Sequence, residues 1–316
     1  MSRTSLPTDP LRTDRLKADR LRADLLLLLT AVIWGLAFVA QRISAGQIGV
    51  YFFNAARFVI GAAVLWLITS LALRQPVSLR LNRQELAAAV AAGSVLFLGT
   101  ALQQAGLQYT TAGNAGFITG LYVVIVPFLL AGVLRRPVSR WVWLAAGVAV
   151  LGLLLLSTGA TLGINRGDLL ELAGAFAWAV HVLVVGWAMR WMSVLRFSIV
   201  QFLLAAGLHL AFGLLFETPV APWPAAAWLP VLYVGIFSTG IGYTLQAAGQ
   251  RHAPETDAAF LLNLESVFAA LGGYLLLGET LTLVQLVGCG LLLAAVLLAQ
   301  LRPGAQPVSE PPRPAG

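Results

Sequence analysis

The chain has 316 residues, of which 59% are apolar and only 10% are charged. Soluble domains are about 45–50% apolar and about 25% charged, so this composition, with a mean hydropathy of +0.85, excludes an ordinary soluble protein. The formal net charge of +7 does not indicate nucleic-acid binding, because the arginines stand singly between apolar runs. A single cysteine, Cys289, excludes an intrachain disulfide and a cysteine-based metal cluster. We therefore expect no cofactor, no metal and no nucleic-acid partner.

Polar tails flank a long apolar region. Residues 1–24 have mixed charge and no cleavage pattern, and they are predicted to form a cytoplasmic tail, either disordered or lying as a short surface helix. Residues 303–316 are rich in proline and are predicted to form a second, disordered cytoplasmic tail. Between them lie ten apolar runs, each close to the roughly 17–25 residues that cross a bilayer. The predicted spans are 25–44, 50–73, 86–107, 113–134, 141–157, 168–190, 196–216, 226–250, 256–277 and 280–301.

The basic residues predict how these spans are oriented, because cytoplasmic loops are enriched in Lys and Arg. With the N-terminus in the cytoplasm, all but three of the 20 basic residues fall in cytoplasmic loops or tails. The exceptions are Arg42 and Arg166 in external loops and Arg57 inside the second span. We therefore expect both termini in the cytoplasm and a lipid bilayer around the protein. The compact chain, rich in Arg and Ala, indicates a bacterial inner (plasma) membrane, with the protein as a monomer or weak homodimer.

The two halves of the chain resemble each other in sequence. Residues 99–127 align with 242–270, and the first predicted span aligns with the sixth. Polar and aromatic residues take part in this match: Asp24 pairs with Asp168, Trp34 with Trp178, Gln103 with Gln246, Tyr122 with Glu265, and Arg57 with Gln201. Each half, 25–158 and 168–302, holds five spans. Because five is an odd number, the second half enters the membrane from the opposite side and is inverted relative to the first. The predicted fold is an all-α integral membrane protein of ten transmembrane helices in two inverted repeats, which is typical of secondary transporters.

Three stretches carry a family resemblance. They are WGLAFVAQRIS in the first span, FNAARFVIGA in the second, and FLLNLESVFAALGGYLLLGETLTLVQLVGCGLLL across the last two. The chain resembles the drug/metabolite transporter superfamily, and within it the EamA-type permeases of ten helices in two five-helix repeats. This resemblance implies transport of small metabolites, often export of amino acids. Relatives often have proline where this chain has Ser266, so the resemblance does not carry over a proline kink in the ninth span.

Ionisable side chains inside the spans are candidate functional residues, because a charge at the bilayer centre costs about 2.5–3.5 kcal/mol on insertion scales. Glu265 is predicted to bind a proton or a substrate amine, or else to hold the fold through a neighbouring helix. Arg57 is predicted either to bind a substrate carboxylate or to act structurally, as a partner of Glu265 or of backbone carbonyls, or by extending towards the membrane surface.

Further polar and aromatic side chains are predicted to line the substrate cavity. For each of them, structural packing or hydrogen bonding between helices is the alternative. A lone intramembrane histidine is more often a hydrogen-bonded core residue than a ligand. The predicted cavity residues are Trp34, Asn54, Gln103, Tyr122, Trp178, His181, Tyr243, Gln246, Asn263 and Glu265.

The sequence thus predicts a secondary transporter, moving small metabolites, most of all amino acids, out of the cell by alternating access. A multidrug or sugar-phosphate-like exchanger of the same fold is the alternative. From another class, an integral-membrane enzyme would need clustered catalytic residues near a loop, and the sequence has no HExxH or GxSxG motif. A phosphate-binding GxxxxGK[ST] loop is also lacking, so ATP hydrolysis by this chain would not drive transport.

Overall fold

The computed structural model describes residues 10–72, 74, 77–157, 165–219, 222–278 and 280–301. The predicted tail 303–316 and the first nine residues lie outside the described residues. The rest of the predicted N-terminal tail is helical, because α1 (Pro10–Ser44) begins well before residue 25. Pro10 suits the first helical position, and Arg20 pairs with Asp24 one turn later at 3.0 Å. The polar start of α1 is therefore continuous with its apolar part.

The first half of the chain continues with five further α-helices. Two of them end in a short π-helix, Ile68–Ala72 after α2 and Leu129–Val133 after α5. The α-helices are α2 (Val50–Leu67), α3 (Arg83–Gly106), α4 (Ala112–Gly120), α5 (Tyr122–Phe128) and α6 (Arg140–Leu156).

The second half begins at α7 and has one long π-helix, Val234–Tyr243, between α9 and α10, where the first half has the continuous helix α3. Its α-helices are α7 (Arg166–Ala188), α8 (Val194–Phe216), α9 (Ala225–Tyr233), α10 (Thr244–Gln250), α11 (Glu255–Leu262), α12 (Glu265–Leu277) and α13 (Leu283–Gln300).

These helices confirm the predicted all-helical membrane protein. Nine continuous or interrupted helices of the described chain are long and apolar enough to cross a membrane, and α6, with 17 residues, is a shorter apolar helix. Apolar side chains face outwards, with Leu229 76% and Leu71 70% exposed, whereas Arg57 and Gln201 are buried. Such a surface is stable in lipid and not in water. The repeat boundaries and the inverted orientation stay predictions.

Packing between the halves follows a regular scheme. α2 packs against α8, α6 against α13, α3 against α7, and α1 against α10 and α12. Each pair has a counterpart when the two halves are exchanged, as expected if they are copies of one unit. Buried polar side chains bond across the interface between the halves, as Arg57 does with Thr239 and Thr100 with His209.

Charged residues mark the two ends of the bundle. At the end that we call the Arg-rich end, Arg196 pairs with Glu85 at 2.8 Å, and Arg136 and Arg190 contact Glu255. The helices α1, α3, α8 and α11 begin at this end. The helices α2, α4 and α7 begin at the opposite end, which we call the Arg-poor end. The sequence predicts that the Arg-rich end is cytoplasmic.

Candidate functional site

Two spans are broken near the centre of the bundle. The fourth span consists of α4 and α5, which meet at Leu121, and the ninth consists of α11 and α12, which meet at Asn263–Leu264. At both breaks the backbone tightens, because the amides of Leu121 and Leu264 bond three residues back rather than four. Tyr122 and Glu265, which align in the two sequence halves, each begin the second part of a broken span. Broken membrane helices are a usual setting for transporter binding sites.

The ninth span bends without a proline. Ser266, which stands where relatives often have proline, donates a hydrogen bond from its hydroxyl to the carbonyl of Gly116 in α4, at 2.8 Å. The two breaks lie against each other, since a Cβ placed on Gly120 would collide with the Asn263 side-chain oxygen. The hydroxyl therefore links the two broken spans beside their breaks.

A polar cavity lies beside these breaks. It encloses about 30 Å³, which is room for about two water molecules. The helices α1, α2, α3, α4, α5, α7, α10, α11 and α12 and the long π-helix all contribute to its wall. Of the side chains predicted from the sequence, the structure brings the following to this cavity: Trp34, Arg57, Gln103, Tyr122, Trp178, His181, Tyr243, Gln246 and Glu265.

Glu265 is the acidic side chain of the cavity wall. It is 4% exposed, and no basic side chain of the described residues lies within the 4.0 Å of a salt bridge. Two tyrosines are among its electrostatic neighbours, Tyr122 in the other broken span and Tyr243 at the end of the long π-helix. The carboxyl group therefore faces the cavity without a protein cation to neutralise it.

Arg57 lies on the same cavity, held by neutral groups. Its Nε donates to the hydroxyl of Thr239 at 3.0 Å, and its Nη1 donates to the Gln41 side-chain oxygen at 3.0 Å. Tyr243 lies beside it. The alternative of an ion pair between Arg57 and Glu265 does not occur within the described chain. The cavity thus carries one acidic and one basic side chain that do not pair with each other.

Aromatic rings form one side of the cavity around Tyr243. Its ring centroid is 4.7 Å from that of Trp34, 5.8 Å from His181 and 6.3 Å from Trp178. The Trp34 indole donates to the carbonyl of Ser238 at 3.1 Å. The Trp178 indole nitrogen is buried, with no hydrogen-bond partner in the described structure. This wall offers flat apolar surface together with one free donor.

The remaining polar residues divide between the cavity and helix packing. Gln246 donates to Gln250 at 2.9 Å while its own side-chain oxygen has no partner among the described groups. His181 bonds Gln201 at 3.1 Å. Asn54 does not reach the cavity, because its amide donates to the carbonyl of Thr100 at 3.2 Å and joins α2 to α3.

Asn263 also lies outside the cavity wall, since it is buried at the break of the ninth span. Sequence reasoning missed three polar lining residues, Gln41, Thr119 and Ser238. Gln41 could be predicted from the sequence, because it is a polar residue two helical turns after Trp34 in the first predicted span. Thr119 and Ser238 are small polar residues that membrane helices commonly contain, so the sequence gives no signal that separates them from others.

Side-chain contacts between matched elements join the helices at each end of the bundle. At the Arg-rich end, Arg20 in α1 pairs with Asp257 in α11 at 2.6 Å. At the Arg-poor end, Asn114 in α4 donates to Asp168 in α7 at 2.6 Å, and Thr110 donates to the same oxygen at 2.9 Å. The sequence repeat relates these two contacts, because α1 and α4 correspond to α7 and α11. The contact at the Arg-rich end is an ion pair, and the contact at the Arg-poor end is a hydrogen bond from an amide to a carboxylate.

A multi-span helical bundle of two similar halves, with a cavity between them that polar side chains line, is the architecture of a membrane transport protein. The model of the EamA-like transporter family matches this chain twice, over residues 21–158 and 165–301. The chain therefore belongs to the EamA-like transporter family. It is a multi-pass membrane transporter of solutes rather than an enzyme, and its resemblance to the drug/metabolite transporter superfamily is confirmed.

Individual relatives agree with this family. An uncharacterized transporter of Archaeoglobus fulgidus is 32% identical over 276 residues, covering 87% of this chain and 85% of the relative. The threonine/homoserine exporter RhtA of Escherichia coli K12 is 32% identical over 166 residues, covering 51% of this chain and 54% of RhtA. A solved crystal structure matches the fold with a TM-score of 0.76 at 21% identity, covering 89% of this chain and 97% of the other.

Proposed function

We propose that this transporter exports small zwitterionic metabolites, foremost amino acids, across a bacterial inner membrane by alternating access. One observation carries the proposal: Glu265 and Arg57 lie on one cavity, are both buried, and do not neutralise each other. An α-amino acid brings an ammonium group for the first and a carboxylate for the second, which a planar guanidinium binds well. Because uncompensated charge at membrane depth is costly, such a solute would neutralise both groups at once.

Two further facts support this choice. The relative RhtA is by its name an exporter of threonine and homoserine, although the match spans about half of each chain. The excess of arginine at the end where α1 begins favours a cytoplasmic Arg-rich end. Solute would then enter the cavity when the Arg20–Asp257 contact opens, and it would leave when the Asn114–Asp168 contact opens.

We propose that Glu265 couples export to protons. A proton and the ammonium group of the solute would compete for the same carboxylate, so that one is released as the other binds. A proton arriving from outside would displace the solute, and a solute arriving from the cytoplasm would displace the proton. The cell's proton gradient would then drive export.

The aromatic wall favours one alternative function. Tyr243, Trp34 and Trp178 form a surface suited to lipophilic cations, as a multidrug exporter would need. Sugar phosphates fit less well, since Arg57 is the sole Lys or Arg among the described residues that line the cavity. The integral-membrane enzyme is set aside, because the family and its relatives are transporters.

Exchange in proteoliposomes tests the proposal. Purified protein would be reconstituted with unlabelled amino acid inside, and entry of labelled amino acids would be measured without and with a pH gradient. We expect saturable exchange that the gradient accelerates. Glu265→Gln should abolish the response to the gradient, and Arg57→Gln should raise the solute concentration for half-maximal exchange.

Glu255→Gln is the matched control, because Glu255 lies at the Arg-rich end, away from the cavity. It should leave exchange unchanged. If no amino acid exchanges while a labelled lipophilic cation accumulates, the protein is a multidrug exporter and the proposed substrate class is wrong. If exchange ignores the gradient and survives Glu265→Gln, Glu265 is structural and the protein is a facilitator.

A further inference from the structure

One buried carboxyl group has no role in the site described so far. Glu171, in the sixth span, is fully buried at 0% exposure. Its Oε2 accepts a hydrogen bond from the Thr119 hydroxyl at 3.1 Å, and its Oε1 has no hydrogen-bond partner in the described chain. The neutral Thr119 is thus its one hydrogen-bonding neighbour among the described side chains.

The other buried or half-buried carboxylates of the described residues are compensated. Each contacts an arginine or accepts backbone amides at a helix N-terminus. These carboxylates are Asp24, Glu85, Asp168, Glu217, Glu255 and Asp257. Glu265, the remaining one, faces the cavity. Glu171 has neither a cation nor the backbone amides of a helix N-terminus, and it does not line the cavity.

The space around Glu171 is built to hold a carboxyl group. A Cβ on Gly106 in α3 would lie 2.7 Å from Oε1, so glycine at this position leaves the room that the unpartnered oxygen occupies. A structural hydrogen bond to Thr119 would need only one of the two oxygens. The free oxygen therefore points to a ligand small enough for this niche.

A proton fits that description. A sodium ion would need several oxygen ligands, whereas Glu171 and Thr119 are the two side chains that meet here. The charged groups that act on Glu171 are Asp168, one turn earlier on α7, and Glu265, at the start of α12. No Lys or Arg of α3, α4, α5, α10 or α11 lies within salt-bridge distance of 4.0 Å in the described structure. Two carboxylates close together in a medium of low dielectric repel each other, and a shared proton removes that repulsion.

A proton on Glu171 lies on a path between the Arg-poor end of the bundle and Glu265. Asp168 accepts the hydrogen bond of Asn114 at the Arg-poor end, and Thr119 lines the cavity that Glu265 faces. Glu171 stands between them, bonded to Thr119. We propose that Glu171 is a second proton-binding site, which passes protons between the Arg-poor end and Glu265. Its Oε1 takes the proton arriving past Asp168. Rotation of the carboxyl group then turns the protonated oxygen towards Thr119, whose hydroxyl accepts that proton and gives its own proton to the Glu265 carboxylate.

This inference rests on the proposed proton-coupled transport, so one test must not require the substrate. Infrared spectra of the full chain in liposomes, titrated from about pH 6 to pH 10, report the carbonyl stretch of protonated carboxyl groups. We expect a titrating band that Glu171→Gln removes, separate from the component that Glu265→Gln removes. Identical spectra for wild type and Glu171→Gln overturn the proposal, whichever solute the protein carries.

Transport supplies the second test. In proteoliposomes, Glu171→Gln should lower the accumulation of solute that a pH gradient drives about tenfold or more. Exchange of solute without a gradient should fall about threefold at most. Glu171→Asp should recover part of the accumulation, and Glu255→Gln should match wild type. An equal loss in both assays would make Glu171 a structural residue. Thr119→Val, which keeps the shape of the side chain, should slow proton flux even where Glu171→Gln fails to fold, and normal flux in that variant contradicts the route.

Discussion

Replacing Arg20 with glutamine should open the Arg-rich end of the transporter more often. Arg20 joins α1 to α11 through its 2.6 Å contact with Asp257, whose side chain is 2% exposed, while that of Arg20 is 28% exposed. If this end opens, α1 and α11 separate and the contact is lost. The ion pair therefore stabilises the closed form and not the open one.

The size of the effect follows from the chemistry of the contact. A hydrogen bond to a charged group contributes about 1.5–3 kcal/mol, and this one is partly open to solvent, which places it towards the lower figure. Loss of about 1.5–3 kcal/mol from the closed form multiplies the population of the open form roughly ten- to a hundredfold. The matched contact at the Arg-poor end is untouched, so only one side of the membrane gains access.

A thiol reporter in the cavity measures this access. Ser238→Cys places the reporter in the cavity wall, and Cys289→Ala removes the native cysteine. In this background, Arg20→Gln should accelerate labelling by an impermeant maleimide roughly tenfold or more from the Arg-rich side. Asn114→Ala, the counterpart at the other closure, should accelerate labelling from the Arg-poor side. Unchanged rates, or an equal increase from both sides, would refute the assignment of Arg20–Asp257 as a closing contact.

Three more changes have expected outcomes in thermal unfolding of the purified protein. Gly120→Ala should lower stability by about 1–3 kcal/mol, because the new methyl group meets the side chain of Asn263; an unchanged melting temperature would mean that the two breaks are farther apart. Ser266→Ala should cost about 0.6 kcal/mol through its lost bond to Gly116, and a larger loss would indicate a wider role. Glu217→Ala removes the acceptor for two first-turn amides of α2 and should cost about 1 kcal/mol, with Glu217→Gln closer to wild type.

Hydropathy was sufficient for the spans, since lipid demands long apolar helices whatever their packing. It was not sufficient for the rotation of each helix about its axis. Asn54 and Gln103 are both polar residues inside spans, yet Gln103 reaches the cavity and Asn54 bonds a neighbouring backbone. The face of each helix that turns towards the cavity depends on contacts with other helices. These contacts cannot be read from a single sequence.

Sequence alignment between the halves predicted more than hydropathy did. It paired Tyr122 with Glu265, and both begin the second part of a broken span. The breaks themselves had no local signal, because neither contains a proline. Glu171 was missed for another reason: it follows Asp168 by one turn, so it looked like part of a polar helix start rather than a group buried in the interior.

The small central cavity has a consequence for the resting cell. A continuous water column through a membrane protein conducts ions and protons unless the pore has its own barrier against them. The cavity has space for about two water molecules, and a side-chain contact lies at either end of the bundle. This is too little water to form a continuous column across the membrane. Because an amino acid needs more space than this, helices that line the cavity have to separate for a solute to bind. The helix packing that keeps water out of the protein is therefore the same packing that has to open when a solute binds.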